Sequence, residues 1–533
     1  MKKQIFIKDW LKLKPYQQQQ SSDLFYLRIS NQVLGIIKKS EHFNFIETAL
    51  DPEQVKLMSC FLTSYLEDVV SESNIWSTFR YEHELLYKKC LPFFQKLEDY
   101  YEDEINAQDV EVLIWYFINA VQETYEFEPN SFYIKDIAED VMKVFEDAWE
   151  YAPENTTLKL KYTLLESDFY KSREFIDVIL FQTYLFYPDT ALKQQKVELD
   201  IFEKNRNESH LLHLLNSERD RLLHTSFTKL LGLKGKEWAA KVLGEKHPLY
   251  TSFLELSPKL EGQFFYKGQD ERYVYLEYIA TGEKFNLLKE SYDNATDLNN
   301  VDDILYLGIC KWRGEWWFSG VAMIQSFDVN LVNKERNSLE SVSATDFLKI
   351  NSDRNNKTLA SQKKAFLEFN QNSLIKILPI EEVEPFVNSF MSFYNKSLGL
   401  SSKEVEKIRE NHKGSIDQGI TLPSSLKENN DSALVFFNEK TGIQMGFDIN
   451  SAFPLKENSF FNPEKTREHI ITLCNSTDIS TELVMYCIDN FKDQLPFFES
   501  RFGRLLLNDT DFLLRFWKTK DYYSKAMVTE VNE

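Results

Sequence analysis

Three groups of residues have the types and spacing to do chemistry. The first lies in SHLLHLLNSERDRLLHTSF, residues 209–227, which holds Arg219, Asp220 and His224. On a helix, positions 220 and 224 share a face and 219 lies beside it. A guanidinium, a carboxylate and an imidazole could therefore converge, groups suited to general acid–base chemistry. The competing reading is an amphipathic helix that packs Leu211, Leu212, Leu214, Leu215, Leu222 and Leu223 inward, with Arg219, Asp220, Arg221 and His224 on its rim. The same stretch offers His210, His213 and His224 as imidazole ligands. Zinc would want three such nitrogens plus a carboxylate or water, whereas histidines beside leucines read as a hydrogen-bonding rim.

The second group is aromatic. Residues 260–325 hold Tyr273, Tyr275, Trp312, Trp316 and Trp317 among many other rings, more than a small barrel can bury. In a strand Trp316 and Trp317 point to opposite faces. One ring then fills the core and the other faces solvent or a neighbouring domain. An exposed aromatic face takes an extended peptide or stacks bases, but residues 259–318 carry 7 basic and 11 acidic side chains, which disfavours nucleic acid. The bland alternative is that the outer rings dock against the flanking helices. The third group is acidic: residues 51–154 hold 24 Asp or Glu against 7 Lys or Arg, including Glu98-Asp99 and Glu102-Asp103-Glu104. A solvated helix face accounts for these. With no D-x-D-x-D-G loop, no HExxH and no CxxC pair, no metal is expected. Phosphate-loop, dinucleotide and nucleophile-elbow motifs are absent, and no cofactor is expected.

The elements that must position these groups are marked by glycine. The chain has 533 residues, a net charge of −21 and 14% aromatic residues, but only 16 glycines; Gly35 is the sole one before residue 232, and nine fall between Gly232 and Gly320. The first part is accordingly helical. Asp51, Pro52 and Gln54 form an N-terminal cap and capping box ahead of an apolar face from Val55 to Val69. Further helices are predicted after Asn106 and over 131–149. Prolines recur there at intervals near those of helix-pair repeats, but the intervening side chains do not repeat, so an irregular helical domain is expected. From Leu260 the pattern alternates, giving five strands with turns at Ala280-Thr281-Gly282-Glu283 and Arg313-Gly314, which suits an SH3-like barrel. Residues 327–357 lack a period and read as a linker or long loop. Helices are predicted near 358–371, 380–396, 402–412 (with a Ser401-x-x-Glu404 capping box), 464–474, 480–490 and 509–518, and a hairpin turns at Lys440-Thr441-Gly442.

The domains expected are thus an α+β series: an acidic helical domain over 1–245, a barrel over 260–326, the linker, and a mixed domain over 358–533. MKKQIFIKDW breaks any apolar leader with Lys8 and Asp9, and VLIWYFINAV is too short to span a bilayer, so a soluble chain is expected. Five cysteines without a paired motif fit reduced thiols in a cytoplasm, each a small core hydrophobe.

Two resemblances add to this. IFIKDWLKLKPY at residues 5–16, WWFSG at 316–320 and DFLLRFWK at 511–518 resemble an uncharacterised family of bacterial proteins catalogued as a domain of unknown function. That resemblance implies a bacterial cytosolic protein and no activity. The Arg219-x4-His224 spacing matches the form used by HEPN-type ribonucleases. The leading expectation is a non-catalytic protein-interaction or scaffold protein whose binding residues are Trp312, Trp316, Trp317, Tyr273 and Tyr275, with a protein or peptide partner. The alternative is a metal-independent ribonuclease carrying Arg219, Asp220 and His224.

Overall fold

In the computed structural model the chain forms two compact units, Met1–Lys349 and Ile350–Glu533. The structure describes residues 4–122, 128–129, 131–348, 353–399 and 421–523, so the helix expected over 402–412 and its capping box lie outside the described residues.

The glycine-poor stretch folds as helices: α1 (Asp23–Lys39), α2 (Phe43–Ala49), α3 (Pro52–Ser71), α4 (Ile75–Tyr87), α5 (Ala107–Val121), α6 (Phe132–Trp149), α7 (Phe169–Gln182), α8 (Leu192–Lys204), α9 (Leu211–Thr225), α10 (Gly235–Leu243) and α11 (Tyr250–Glu255), with shorter turns between. The cap on α3 forms as its sequence requires. The Asp51 carboxylate accepts from the backbone N–H groups of Glu53 and Gln54, and the Gln54 side chain accepts from the Asp51 N–H. Within α5 every residue from Val110 to Ile118 is buried, which explains the apolar window: it is the helix at the centre of the core, with Phe117 against Phe61 of α3. Among the described residues no helix is long and apolar enough to cross a membrane. Gly235 opens α10 where a β-carbon would stand 2.6 Å from Leu180 and 2.7 Å from Ile176, so α10 approaches α7 closely only because it begins with glycine.

The alternating stretch closes into a small barrel of five strands: β1 (Leu260–Gln269), β2 (Tyr273–Tyr278), β3 (Lys284–Leu288), β4 (Ile304–Trp312) and β5 (Glu315–Gln325), ordered β1-β2-β3-β5-β4. β1 pairs with both β2 and β4. The β4–β5 hairpin turns at Arg313 and Gly314, both at positive φ (49° and 90°), as a two-residue turn between twisted strands demands. Closure comes from a parallel pairing of Leu287 in β3 with Trp316 in β5. Leu260, Phe264, Val274, Leu276, Phe285, Leu287, Leu305, Leu307 and Ile309 fill the interior.

Residues 327–357, expected as a linker or long loop, instead contribute α12 (Val329–Arg336) and α13 (Leu339–Ser343), capped by Asp328 and Ser338. Val332 packs beside Phe265, Ile279 and Ile304. Ala344 and Phe347 lie on the barrel core, and the Tyr278 hydroxyl donates to the Ser341 carbonyl. With so few apolar contacts per turn, these helices leave no period to read.

In the second unit, α14 (Asp353–Phe369) precedes β6 (Ile375–Pro379), α15 (Ile380–Ser397), β7 (Ser432–Asn438) and β8 (Gly442–Gly446). The sheet is antiparallel in the order β6-β7-β8. β7 is buried along its whole length because both its faces are covered: Val435 and Phe437 meet Phe366, Val387 and Phe390 of α14 and α15, while Phe436 meets Tyr486 of a later helix. The remaining helices include α16 (Thr466–Asn475), α17 (Thr481–Phe491) and α18 (Thr510–Trp517), close to the predicted spans.

Candidate functional site

The residues singled out from the sequence fall on two surfaces of the barrel. The first is the outer face of β4 and β5, which packs against α7, α9 and α11. Trp312 is buried edge-on to Phe253 of α11, with ring centroids 5.3 Å apart, and its indole N–H points to the Ser167 carbonyl. Trp317 stacks on Phe169 at 5.4 Å and meets Tyr170 edge-on. These two outer rings are therefore spent on docking.

Beside the rings lies a buried polar seam. α9 directs Asp220 and His224, one turn apart, toward the barrel. Asp220 is completely buried, and its Oδ1 accepts from Arg173 of α7 (2.8 Å from Nε) and from the Ser319 hydroxyl of β5 (2.8 Å), while Lys259 stands 2.7 Å from Oδ2. Lys259 also reaches Glu261 at 3.0 Å. Two cations thus face two carboxylates, the balance that burial of charge requires. Burial opposes ionisation of Asp220, but the charges of His224, Lys259 and Arg173 outweigh it and hold its carboxyl down to about 2. Burial likewise acts against the Lys259 ammonium, yet Asp220 and Glu261 hold it above its ordinary value. His224 is pulled the other way: desolvation wins over the Asp220 carboxylate and lowers it to about 4. The imidazole is neutral at pH 7, and Lys259 and Arg173 then supply the counter-charge to Asp220.

The network also fixes where protons sit. The Ser319 hydroxyl has one hydrogen, which goes to Asp220, so its oxygen accepts from Nε2 of His224 at 3.1 Å. Nε2 therefore carries the proton and cannot take one from Ser319. Cys310 lies 3.9 Å from Nδ1, but burial pushes its thiol well up, which keeps it out of thiolate chemistry. The group looks like a nucleophile with its base and is wired as a structural clamp. Its strands are cut to fit. A β-carbon at Gly320 would stand 2.9 Å from the Asp220 carboxylate, at a φ of 95°, and one at Gly308 would fall on the Lys259 side chain.

Arg219 takes no part in this. The helix turns it toward α7 and α8, where it makes a bidentate pair with Asp177 (2.7 and 2.8 Å) and approaches Glu198 at 3.5 Å. The arrangement brings Asp220 and His224 together and leaves Arg219 on another side, so Arg219 and His224 do not share a cleft. Nor do the histidines assemble: His210 and His213 are exposed while His224 is buried in the seam. Of the leucines expected inside, Leu222 and Leu223 are buried and Leu212 is 74% exposed. Four cysteines are buried and Cys90 is half-buried. Lys259, Arg173, Ser319 and Cys310 were not found from the sequence, although glycines inside two strands are a signal of close approach.

The second surface is the outer face of β2, at the end of the barrel carrying the β1–β2 and β4–β5 turns. Tyr273 and Tyr275 project from it, both half-buried. The Tyr273 hydroxyl lies 3.1 Å from Glu315, Arg272 pairs with the same carboxylate at 2.8 Å and lies over the Tyr273 ring, and the Tyr275 hydroxyl donates to Asp270. Trp316, also half-buried, turns inward at the barrel mouth, edge-on to Phe285 at 4.9 Å. Trp312 and Trp317 are therefore spent on docking and Trp316 on the barrel core, which leaves Tyr273 and Tyr275 on the outer face. A pocket of about 330 Å³ lies elsewhere in this unit, lined by Arg80, Cys90, Glu102 and Lys241 among others.

A family model described as a protein of unknown function (DUF3843) matches residues 4–280, just over half of the chain. The chain belongs to this family. The DUF3843 match takes in the helical half and runs through β2, so Asp220, His224, Lys259, Tyr273 and Tyr275 lie within it, while β4 and β5 follow it. Of the three segments that carried the resemblance, residues 5–16 fall inside the match. No curated protein and no solved structure matches the chain.

Proposed function

We propose that this DUF3843 protein is a non-catalytic interaction protein whose barrel holds an extended, basic peptide segment of a partner on the outer face of β2 and β3. The observation that carries the reading is the division of the aromatic residues. Trp312 and Trp317 are used up in docking, while Tyr273 and Tyr275 stand on the opposite duty, half-exposed and held rigid by hydrogen bonds to Glu315 and Asp270. Rings fixed before binding lose little entropy on contact.

The path of the chain supports the same face. A spatial order of β4-β1-β2-β3 is a Greek key. A five-stranded Greek-key barrel is the form of the OB-fold, which takes extended ligands across strands 2 and 3 and the β1–β2 and β4–β5 loops. We read the barrel as OB-like in place of the SH3-like form expected from strand count alone. Charge then selects among extended ligands: Glu277 and Glu315 already pair with Lys267 and Arg272, but Asp270, Glu271 and Glu283 add acid around this face, and the 11 acidic against 7 basic side chains of residues 259–318 suit lysine and arginine side chains over phosphates. The ribonuclease reading draws no support from a buried His224 whose Nε2 donates to Ser319, with Arg219 committed to Asp177.

The test is fluorescence anisotropy with the full chain, a labelled eight-residue Lys/Arg-rich peptide and a labelled oligo-dT of equal length. Peptide binding that weakens with salt and falls about tenfold in Tyr275→Ala supports the proposal. Tighter binding of the oligonucleotide, or an unchanged affinity in the variant, overturns it.

A further inference from the structure

We propose that Glu41, His42 and Asp136 form a binding site for a divalent transition-metal ion, Zn²⁺ in particular. His42 ends the turn before α2, and Asp136 stands on the first turns of α6. The His42 ring is held by Phe132, edge-on at 5.3 Å, and by Tyr133, and it is the most covered of the three side chains. Its Nε2 lies 3.0 Å from Oδ2 of Asp136 and 3.7 Å from Oε1 of Glu41, and the three ligand atoms all fall within 4.8 Å of one another. Zinc bonds of about 2.0–2.1 Å in tetrahedral geometry put ligand atoms about 3.3 Å apart. The two separations from His42 bracket that value and the two carboxylate oxygens lie within 4.8 Å of each other, so an ion fits once the exposed Glu41 and Asp136 side chains close on it, and a position is left for water.

Charge gives an independent reason. Farther along α6, Glu139 pairs with Lys135 and Asp140 with Lys143. Among the described residues neither Glu41 nor Asp136 has a lysine or arginine partner; both converge on one imidazole. A single ring carries at most one positive charge, whereas a dication would neutralise both carboxylates. The donor set names the class of ion. An imidazole with carboxylates suits zinc and its neighbours, while magnesium and calcium prefer oxygen alone. The site is about chemistry on α2 and α6 and does not depend on the barrel reading.

The test uses the full chain, a chromogenic chelator as competitor for Zn²⁺, and Co²⁺ absorption as a readout of coordination. Wild type should take up one equivalent of Zn²⁺ that excess Mg²⁺ does not displace, and should give visible Co²⁺ bands. Affinity should fall at least about tenfold in both Asp136→Asn and His42→Gln, a loss that even outer partners of a metal ligand produce. Asp136 is half exposed, so its variant keeps the fold, which circular dichroism verifies. No uptake by the wild-type chain at micromolar Zn²⁺, displacement by Mg²⁺, or an unchanged affinity in either variant would overturn the assignment.

Discussion

Acidification should loosen the barrel from the helices before it does anything else to this seam, and His224 is the group that makes this testable. Its side chain is 5% exposed, and desolvation lowers it from 6.5 to about 4. Above pH 6.5 the imidazole is neutral in both folded and unfolded chains and contributes no pH dependence. Below that value the unfolded chain binds a proton that the folded chain refuses until about pH 4. Stability is therefore present above 6.5 and lost as pH falls toward 4, by about 3 kcal/mol in total and about 2 kcal/mol by pH 5. His83 is lowered to about 4 as well, again by burial, and burial raises the carboxyls of Glu67, Asp68, Asp109 and Asp189, so the bare pH profile sums several groups. Subtracting a His224→Gln variant isolates one: glutamine keeps a donor for Ser319 but does not titrate. The assay is urea unfolding followed by tryptophan fluorescence, which reports this unit because eight of the nine tryptophans lie in it. The stability advantage of wild type over the variant should shrink by about 2 kcal/mol between pH 7 and pH 5. A difference that stays constant over that range would refute the claim that His224 is buried and neutral in the seam.

Other perturbations report on the packing. Trp312→Ala should destabilise the first unit by about 3–5 kcal/mol, since a buried ring between Phe253 and Phe169 leaves a cavity, and thermal unfolding would show it. Gly320→Ala places a β-carbon against Asp220 at a backbone angle that glycine alone adopts easily, and should cost about 1–3 kcal/mol in urea unfolding. Asp51→Ala removes two hydrogen bonds at the start of α3 and should cost about 1 kcal/mol by the same measurement.

The sequence made element types legible wherever a local rule decides them. The cap at Asp51, the turn at Arg313-Gly314 and the alternation through β2 each depend on residues a few positions apart, and each appears as read. Partnership over long separations was not legible. Helical spacing places Arg219, Asp220 and His224 on the sides of one helix, but it does not say that Asp177 waits on one side and Lys259 on another. That difference decided the site: the same three residues that could form a phosphate-binding catalyst are divided between an ion pair and a clamp. The helices within 327–348 were illegible for a related reason. Their few apolar residues are chosen by the barrel they cover, not by a repeating face of their own.

Glycine and the aromatic residues, read together, show how the barrel acquires two different faces. One glycine stands inside each of two neighbouring strands, Gly308 in β4 and Gly320 in β5. They clear space for Lys259 and Asp220, so they mark where another element comes close. A strand face without β-carbons at these positions can admit a charged side chain from a helix and still bury its rings, which is why Trp312 and Trp317 are drawn into docking. β2 has no glycine between Tyr273 and Tyr278, and among the described residues no hydrogen bond or ring contact ties the Tyr273 or Tyr275 side chain to a helix. Its outward residues are tyrosines tied to their own loop carboxylates. Glycine therefore marks one face as a joint, and its absence from β2 leaves the other as a surface with rings in fixed positions; that asymmetry is the physical basis for placing a partner on β2 and not on β5.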